Sequence, residues 1–369
     1  NETAKTIVKR IVEAHLATFK RFSISYDLLV YEHDIVNNQL WDKLFEELKS
    51  KRLIVQPRSG DNKGAWIVKF GQTDREDKVL VRSNGLPTYT AKDIAYQLWK
   101  FDRSVMPGYE RKFMDVDRVI NVIDNRQEYP QAIIKYVLEK LGYKKEAAGS
   151  YHLSYGVVKL SAGAMKALGE TAGDKAVAYS MSGRAGIGVM VDDLFETAYQ
   201  RQLREHSTKP EVAESIAAGS IRYYMLKPRP SREAIFDFDE AFRTDGNTGV
   251  YLQYAYARCH NILGKVPDWH PALKSPKVPD DLSPESTALI KILERYPEVL
   301  ATAAEELDPS LISDYAFELA TSLAQFYESN PVLQANEELK NFRLHLVATV
   351  RQILGNTLNL LGIPLLERI

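Results

Sequence analysis

The 369-residue sequence contains one cysteine, Cys259. That excludes an intrachain disulfide framework and a cysteine-rich zinc site, and a reducing, cytoplasmic setting is the expectation. Net charge is nearly absent, −1 at neutral pH, so no global positive field marks a nucleic-acid binder, although a local basic face would suffice. No apolar run is long enough to span a bilayer. Asn1-Glu2-Thr3-Ala4-Lys5 has no signal-peptide core and no initiator Met. It enters a helical pattern at once, so the expectation is a chain that begins inside something larger. What remains is an ordinary globular composition, 45% hydrophobic and 26% charged, long enough for two or three domains.

The most informative stretch is Pro87-Thr88-Tyr89-Thr90-Ala91-Lys92-Asp93-Ile94-Ala95-Tyr96. It follows a strand-like run, Lys78–Ser83, and its apolar positions Ile94, Ala95, Leu98 and Trp99 recur at helical spacing. Thr88 is placed to cap that helix. Tyr89 and Asp93, four apart, share one of its faces. A hydroxyl and a carboxylate at a strand-to-helix junction suit a cationic ligand, and a guanidinium could be held in two-pronged fashion. Taken alone, the same pair also reads as a first-turn carboxylate favouring the helix dipole and a tyrosine half in the core.

Upstream, residues about 4–20 read as a helix with Ile7, Val8, Ile11, Val12, Leu16 and Phe19 on one side. Ser23-Ile24-Ser25-Tyr26 into Leu28-Leu29-Val30 reads as a strand, and about 35–50 as an amphipathic helix. Short strands at Leu53–Val55 and Ala65–Val68 flank a glycine-rich turn, giving a small β-containing subdomain. Downstream, Arg118–Asp124 suits a parallel strand buried on both faces. It ends in Asn125-Arg126-Gln127, before a helix started by Pro130 and stopped by Gly142. Two strand–helix units in tandem predict a doubly wound sheet with Gln127 at the same carboxyl end as Tyr89 and Asp93, or else a solvated turn residue there.

A third strand-like run covers Tyr151–Val158, then a weakly helical Ala/Gly-rich stretch at about 159–178. The loop Met181-Ser182-Gly183-Arg184-Ala185-Gly186 precedes a helix at Asp192–Leu203 and could wrap polyphosphate, although such loops are often plain surface turns. From about 206 onward strand signals vanish. Arg201, Arg204, His206, Lys209, Arg222, Tyr223, Tyr224, Lys227, Arg229 and Arg232 make a basic, aromatic entry that suits a phosphate backbone with nearby bases, or a solvated interdomain helix. Tyr251, Tyr254 and Arg258 recur at helical spacing; alone, such a stripe serves a core as well as an RNA platform. Helices are predicted at about 285–306, 310–329 and 335–361, two of them opened by Ser283-Pro284-Glu285 and Asp308-Pro309-Ser310.

In combination these segments resemble the arginyl-tRNA synthetase family, class I aminoacyl-tRNA ligases, from about residue 24 to the C-terminus. The resemblance rests on Val81-Arg82-Ser83 through Pro87-Thr88-Tyr89, Asp93-Ile94-Ala95-Tyr96, Asp124–Gln127, Phe238-Asp239, Gly246-Asn247-Thr248-Gly249, Tyr251-Leu252-Gln253-Tyr254-Ala255 and the ending Leu358–Ile369. It implies that Tyr89, Asp93 and Gln127 hold arginine, with Asp93 on the guanidinium. It implies that His152, Tyr155, Gly156 and Val157 lie on the adenine-side strand. Met181, Ser182 and Arg184 would belong to the loop that acts on the α-phosphate and pyrophosphate, which makes Ser182 and Arg184 the catalytic candidates. Tyr251, Tyr254, Arg258, Tyr315 and the terminal Ile369 become candidates for the anticodon loop.

The fold implied is α/β plus all-α: a partial class I Rossmann-like nucleotide-binding domain at 1–205, with the inserted subdomain at about 25–78, then a helical anticodon-binding bundle at 206–369. Substrates and partners would be arginine, ATP with Mg2+ as its counter-ion, and arginine tRNA. No resident metal, tightly bound cofactor or membrane is expected, and the chain is read as a monomer. Two departures stand out. No His-x-Gly-His pattern occurs, so the family's HIGH motif and N-terminal domain would precede residue 1 and this chain alone would be inactive. The signature loop lacks its lysine, and the preceding stretch, Lys159–Ser180, is longer than the family's usual connection. The long Lys159–Ser180 stretch and the missing lysine favour the alternative reading, a non-catalytic tRNA-binding relative or regulatory fragment. The Tyr89, Asp93 and Gln127 set favours the enzyme.

Overall fold

The structure, a computed structural model, describes residues 2–70, 77–109, 116–169, 178–180, 189–206, 209–271 and 276–369. Its first half runs α1 (Glu2–Arg21), α2 (Glu32–Asn37), α3 (Leu40–Ser50), β1 (Ile54–Val55), β2 (Trp66–Val68), β3 (Lys78–Val81), α4 (Tyr89–Lys100), β4 (Val119–Asp124), α5 (Glu128–Leu141), α6 (Lys144–Ala148) and β5 (Ser150–Tyr155). Then come β6 (Val158–Ser161), α7 (Ala162–Ala167), β7 (Ala178–Ser180), α8 (Val191–His206), α9 (Pro210–Leu226), β8 (Ala234–Phe236) and α10 (Phe238–Ala241). The chain ends in α11 (Gly249–Gly264), α12 (Pro284–Glu294), α13 (Tyr296–Glu306), α14 (Ser310–Ser329) and α15 (Glu337–Leu360). Two compact units result: Tyr26–Tyr155, and Asn1–Ser25 together with Gly156–Ile369.

In the unit of residues 26–155, the apolar faces of α3, α4 and α5 meet the inner side of a small sheet. Leu48, Leu80, Ile94, Ile133 and Leu138 are fully buried there. The sheet is an antiparallel β1-β2-β3 meander. This corrects the predicted doubly wound arrangement: β3 lies in that meander, while β4 pairs in parallel with β5, from Val119 opposite Ser150 to Asp124 opposite Tyr155. The short connections of the subdomain suit antiparallel pairing, whereas the β4–β5 crossover carries a helix. Nor is β4 buried on both faces. Val119 and Asn121 point into the unit, but Ile120 and Val122 are 40% and 60% exposed. The strand alternates, and the core covers one side of it.

The predicted strand at Ser23–Val30 is absent. Ser23 adopts φ +55° and ends α1, with Ser23 N–H donating to Lys20 O and Ile24 N–H to Phe19 O. That C-terminal cap uses backbone groups a ladder would need. The first half of α1 leaves Ile7, Val8 and Ile11 exposed.

The run Tyr151–Val158 is likewise not one strand. Gly156 N–H donates to Pro230 O at 2.7 Å, and a Cβ there would lie 2.3 Å from Arg232 O. The chain therefore leaves β5 and re-enters as β6 in another sheet, parallel to β8 and antiparallel to β7. The strand β8 sits where only helices were predicted. It is three residues long, anchored by the fully buried Phe236, and too short to show a period of two.

The C-terminal helices pack around Leu252, Leu289, Leu319, Leu323, Val347 and Leu354. Ser283 Oγ accepts from Ser286 N–H and Asp308 Oδ1 from Ser310 N–H, as the predicted helix starts require. The predicted helix 285–306 is two helices, because Pro297 has no N–H to continue the first. The helices α9 and α11 cross closely. A Cβ on Gly249 would stand 2.7 Å from Gly219 O. Beside it the fully buried Gln253 amide donates to Ser215 O at 3.1 Å and Pro364 O at 2.9 Å. Replacing Gly249 with Ala is expected to cost about 2–3 kcal/mol in denaturant unfolding of this unit, through forced separation of two helices. Gly264→Ala, at the open end of the same helix, should stay within about 0.5 kcal/mol.

Candidate functional site

Two regions collect the residues singled out above, one in each unit. The first is built on α4. Arg82 N–H donates to Leu86 O at 2.9 Å, Gly85 takes φ +83°, and Pro87 bridges back to Val81. Thr88 stands at the N-cap position, but its hydroxyl donates to Val79 O at 3.0 Å and does not cap the helix. Tyr89 is 52% exposed at the first position of α4. The Lys78 ammonium lies 5.4 Å from its ring centre and 5.3 Å from that of Tyr129, on the first turn of α5. Gln127 is half-buried and precedes that turn. The starts of α4 and α5 thus converge, although α4 follows an antiparallel strand.

Asp93, one turn into α4, is half-buried and makes no hydrogen bond among the described residues. Loss of water raises its pKa above the ordinary carboxylate value, against the pull of Lys100. Glu32 raises it too, and Lys92 lowers it while pairing with Glu32. Lys100 is the better-held partner. Its ammonium donates to Asn121 Oδ1 at 2.8 Å and sits 4.4 Å above the Tyr96 ring. Asn121, buried on β4, passes its amide hydrogens to Gln97 at 3.2 Å and Gln131 at 2.8 Å, and Gln97 donates to Ser150 Oγ at 2.9 Å. Burial lowers the Lys100 pKa to about 8 even though Asp93 opposes the shift. The pattern-based reading missed this network, whose one sequence signal is amides at otherwise apolar positions. The arrangement offers a desolvated carboxylate whose full complement of hydrogen bonds is still to be made, which suits a cation with several N–H donors.

At the end of β4, Asp124 caps the following turn and receives Arg126 through its backbone and guanidinium, which holds the carboxyl below its usual range. The His152 ring on β5 has Nε2 3.0 Å from Ile123 O, and Tyr155 is 44% exposed at the strand's end. Gly156 and Val157 belong to the other unit. Met181, Ser182 and Arg184 lie outside the described residues.

The second region is a cleft of about 340 Å³ between α11 and α14, lined by Thr244, Tyr251, Tyr254, Arg258, Ala320 and Leu323. Thr248 Oγ1 caps α11 by accepting from Tyr251 N–H, and this sets the phase that turns Tyr251, Tyr254 and Arg258 to one side. Tyr254 is 39% exposed, and Tyr251 leans on Phe317. Tyr315, expected here, is instead 2% exposed, with its hydroxyl donating to Ile292 O at 3.1 Å. The aromatic beside the cleft is Tyr327, 40% exposed, with the Arg258 guanidinium 5.6 Å over its ring. Tyr315 shares its helix face with Leu319, Ser322 and Phe326, all buried; Tyr327 is one step round. Ile369 packs beside the cluster of Leu366 and Phe22, not in this cleft.

Much of the basic, aromatic entry is spent inside the unit. Arg201 pairs with Asp239 at 2.7 Å. The Arg222 guanidinium donates to Leu361 O and Phe22 O. Tyr223 is buried and donates to Ser313 O, and Tyr224 to Ile235 O and Glu240.

The described residues form α/β elements followed by an all-helical C-terminal bundle. The family description "tRNA synthetases class I (R), catalytic domain" matches residues 1–238, and "DALR anticodon binding domain" matches 252–369. The chain therefore belongs to the class I (R) tRNA synthetases, with both the catalytic and the DALR domain present. It is 34% identical to the Arginine--tRNA ligase of Pyrococcus furiosus over 97% of this chain and 61% of that protein. It is 35% identical to that of Pyrococcus abyssi over 99% and 61%. The solved arginyl-tRNA synthetase of Thermus thermophilus superposes with a TM-score of 0.83 at 32% identity, covering 99% of this chain and 64% of that one. The chain spans about three-fifths of the length of the curated relatives it matches.

The geometry makes one electrostatic prediction independent of any ligand. Asp93→Asn removes the group that supports the Lys100 charge, so Lys100 should titrate below its present value of about 8. Carbon-13 NMR of the lysine ε-carbons reads this directly. An unchanged Lys100 titration would show that the two groups are not coupled.

Proposed function

We propose that the protein is an arginine–tRNA ligase. It would activate arginine with ATP to arginyl-adenylate and pyrophosphate, then pass the arginyl group to the 3′ end of arginine tRNA and release AMP. The observation that carries this is Asp93, a half-buried carboxylate without a hydrogen-bond partner among the described residues, beside the exposed Tyr89 at the start of α4. An arginine guanidinium would supply the paired, directional donors that Asp93 lacks. Lysine offers a point charge and neutral side chains offer none, so the site rejects both. In this reading Tyr89 and Gln127 flank the substrate, His152, Tyr155, Gly156 and Val157 serve the adenine side, and Ser182 and Arg184 with Met181 meet the phosphates.

Catalysis is positioning and charge stabilisation of an in-line attack by the arginine carboxylate on the α-phosphate, with Mg2+ arriving on ATP. The catalytic part runs to about residue 205 and the tRNA-reading part follows, with Tyr251, Tyr254, Arg258 and Tyr327 facing anticodon-loop bases. The family's His-x-Gly-His element does not occur in these 369 residues.

Binding is the direct test. Isothermal titration should show arginine bound by the intact chain, with Asp93→Asn weakening it about a hundredfold and Tyr89→Phe about threefold. Affinity should fall as pH drops through the Asp93 titration, which lies above the ordinary carboxylate value. The sign follows from Asp93: its raised pKa holds a proton to higher pH in the free protein than in the guanidinium complex, so protonation opposes binding. Asp93→Asn should bind weakly at every pH. Wild-type affinity in Asp93→Asn would refute the assignment of the pocket.

A further inference from the structure

The face of α11 turned away from the Tyr254 cleft borders a second cavity, about 500 Å³, closed by α15 and the segment after α11. Its size is that of a small-molecule site. It is bordered by Gly355, where a Cβ would stand 3.1 Å from the Tyr256 ring, so the glycine makes room for that ring beside α15. One wall is Trp269. The indole is fixed in place: Nε1 donates to Asn341 Oδ1 at 2.9 Å and the ring meets His345 edge-on at 5.0 Å. The rim carries amides, with Gln352 Nε2 donating to Asn356 Oδ1 at 2.9 Å.

Two groups in this cavity are left incomplete. Arg351 is half-buried and has neither a carboxylate nor a hydrogen-bond acceptor among the described residues. His260 has its Nδ1 buried without a partner among the described residues, while its Nε2 faces the exposed Glu367 carboxylate at 3.8 Å. A half-buried guanidinium without an acceptor is costly, and a bound anion removes the cost. A phosphate matches the guanidinium's fork, and a fixed indole with adjacent amides suits a planar ring with donors and acceptors on its edge.

We propose that this cavity is a second ligand site that takes a nucleoside monophosphate unit, with its phosphate on Arg351 and His260 and its base against Trp269. The unit could come from a free nucleotide or from a single-stranded RNA. The site is distinct from the Tyr251–Tyr254–Arg258 cleft on the other side of α11 and does not rest on the arginine assignment.

Trp269 is the one tryptophan outside residues 26–155, the others being Trp41, Trp66 and Trp99, so fluorescence isolates the site. The full chain is titrated with AMP, with inorganic phosphate and with a six-nucleotide RNA. The expected result is saturable quenching by AMP that disappears in Trp269→Phe, with Arg351→Met raising Kd about tenfold or more. Inorganic phosphate should compete with AMP but bind more weakly. Should Arg351→Met fold poorly, the exposed Asn356→Asp keeps the test alive: a carboxylate at the rim should also weaken AMP by about threefold or more. Tighter binding of the RNA than of AMP assigns the source as RNA, and the reverse assigns a free nucleotide. No quenching in the difference between wild type and Trp269→Phe, AMP affinity in that difference that Arg351→Met and Asn356→Asp both leave unchanged, or phosphate binding as tight as AMP overturns the proposal.

Discussion

The C-terminal unit depends on the close approach of α9 and α11 at Gly219 and Gly249, where no room exists for a methyl group. Buried Gln253 bonds from α11 to both flanking segments and fixes the helix against rotation. With one face locked in this way, the others are free to be specific. One presents Tyr251, Tyr254 and Arg258 to a cleft, and another presents Tyr256 and His260 to a separate cavity. A helix held by side chains of ordinary length would not keep both surfaces in register, because a rotation of a few tens of degrees would blunt one and bury the other.

In the unit of residues 26–155 the constraint is different: a carboxylate is held partly out of water beside an ammonium. Water is removed from Asp93, which disfavours its charge, and Lys100 is placed to restore it. Lys100 is itself tethered by Asn121, and Asn121 by Gln97 and Gln131, so the compensating charge is set by a buried amide network spanning α4, β4 and α5. Such networks are valuable only when every member is satisfied. Asp93 stands beside this network, and in the proposed function its hydrogen bonds are completed by the arginine guanidinium.

Legibility in the sequence followed the length of the signal. The helices at 310–329 and 335–361, the Ser283 and Asp308 starts and the α5 stop at Gly142 were readable, because caps and periods act locally. Sheet membership was not. Nothing in Lys78–Val81 tells an antiparallel meander from a parallel strand, and Gly156 splits one apolar run into two sheets through a contact with Arg232 that is distant in sequence. The placement of Tyr89 and Asp93 at the start of one helix was legible from their spacing. The burial of Tyr315 and the exposure of Tyr327 were not, since a small rotation around α14 decides between core and surface and neither tyrosine's neighbours in sequence mark its side. Lys100 was also missed, because its importance comes from what β4 places beneath it.

The most direct test of the account is binding of arginine tRNA against a non-cognate tRNA across a salt series. If the α11 cleft reads anticodon-loop bases, cognate preference persists at moderate salt, because stacking and base-edge contacts are screened far less than phosphate contacts. Weak, equal binding of both tRNAs that collapses steeply with salt would mean that only the phosphate backbone is held, and would contradict the reading of this unit as the tRNA-discriminating half.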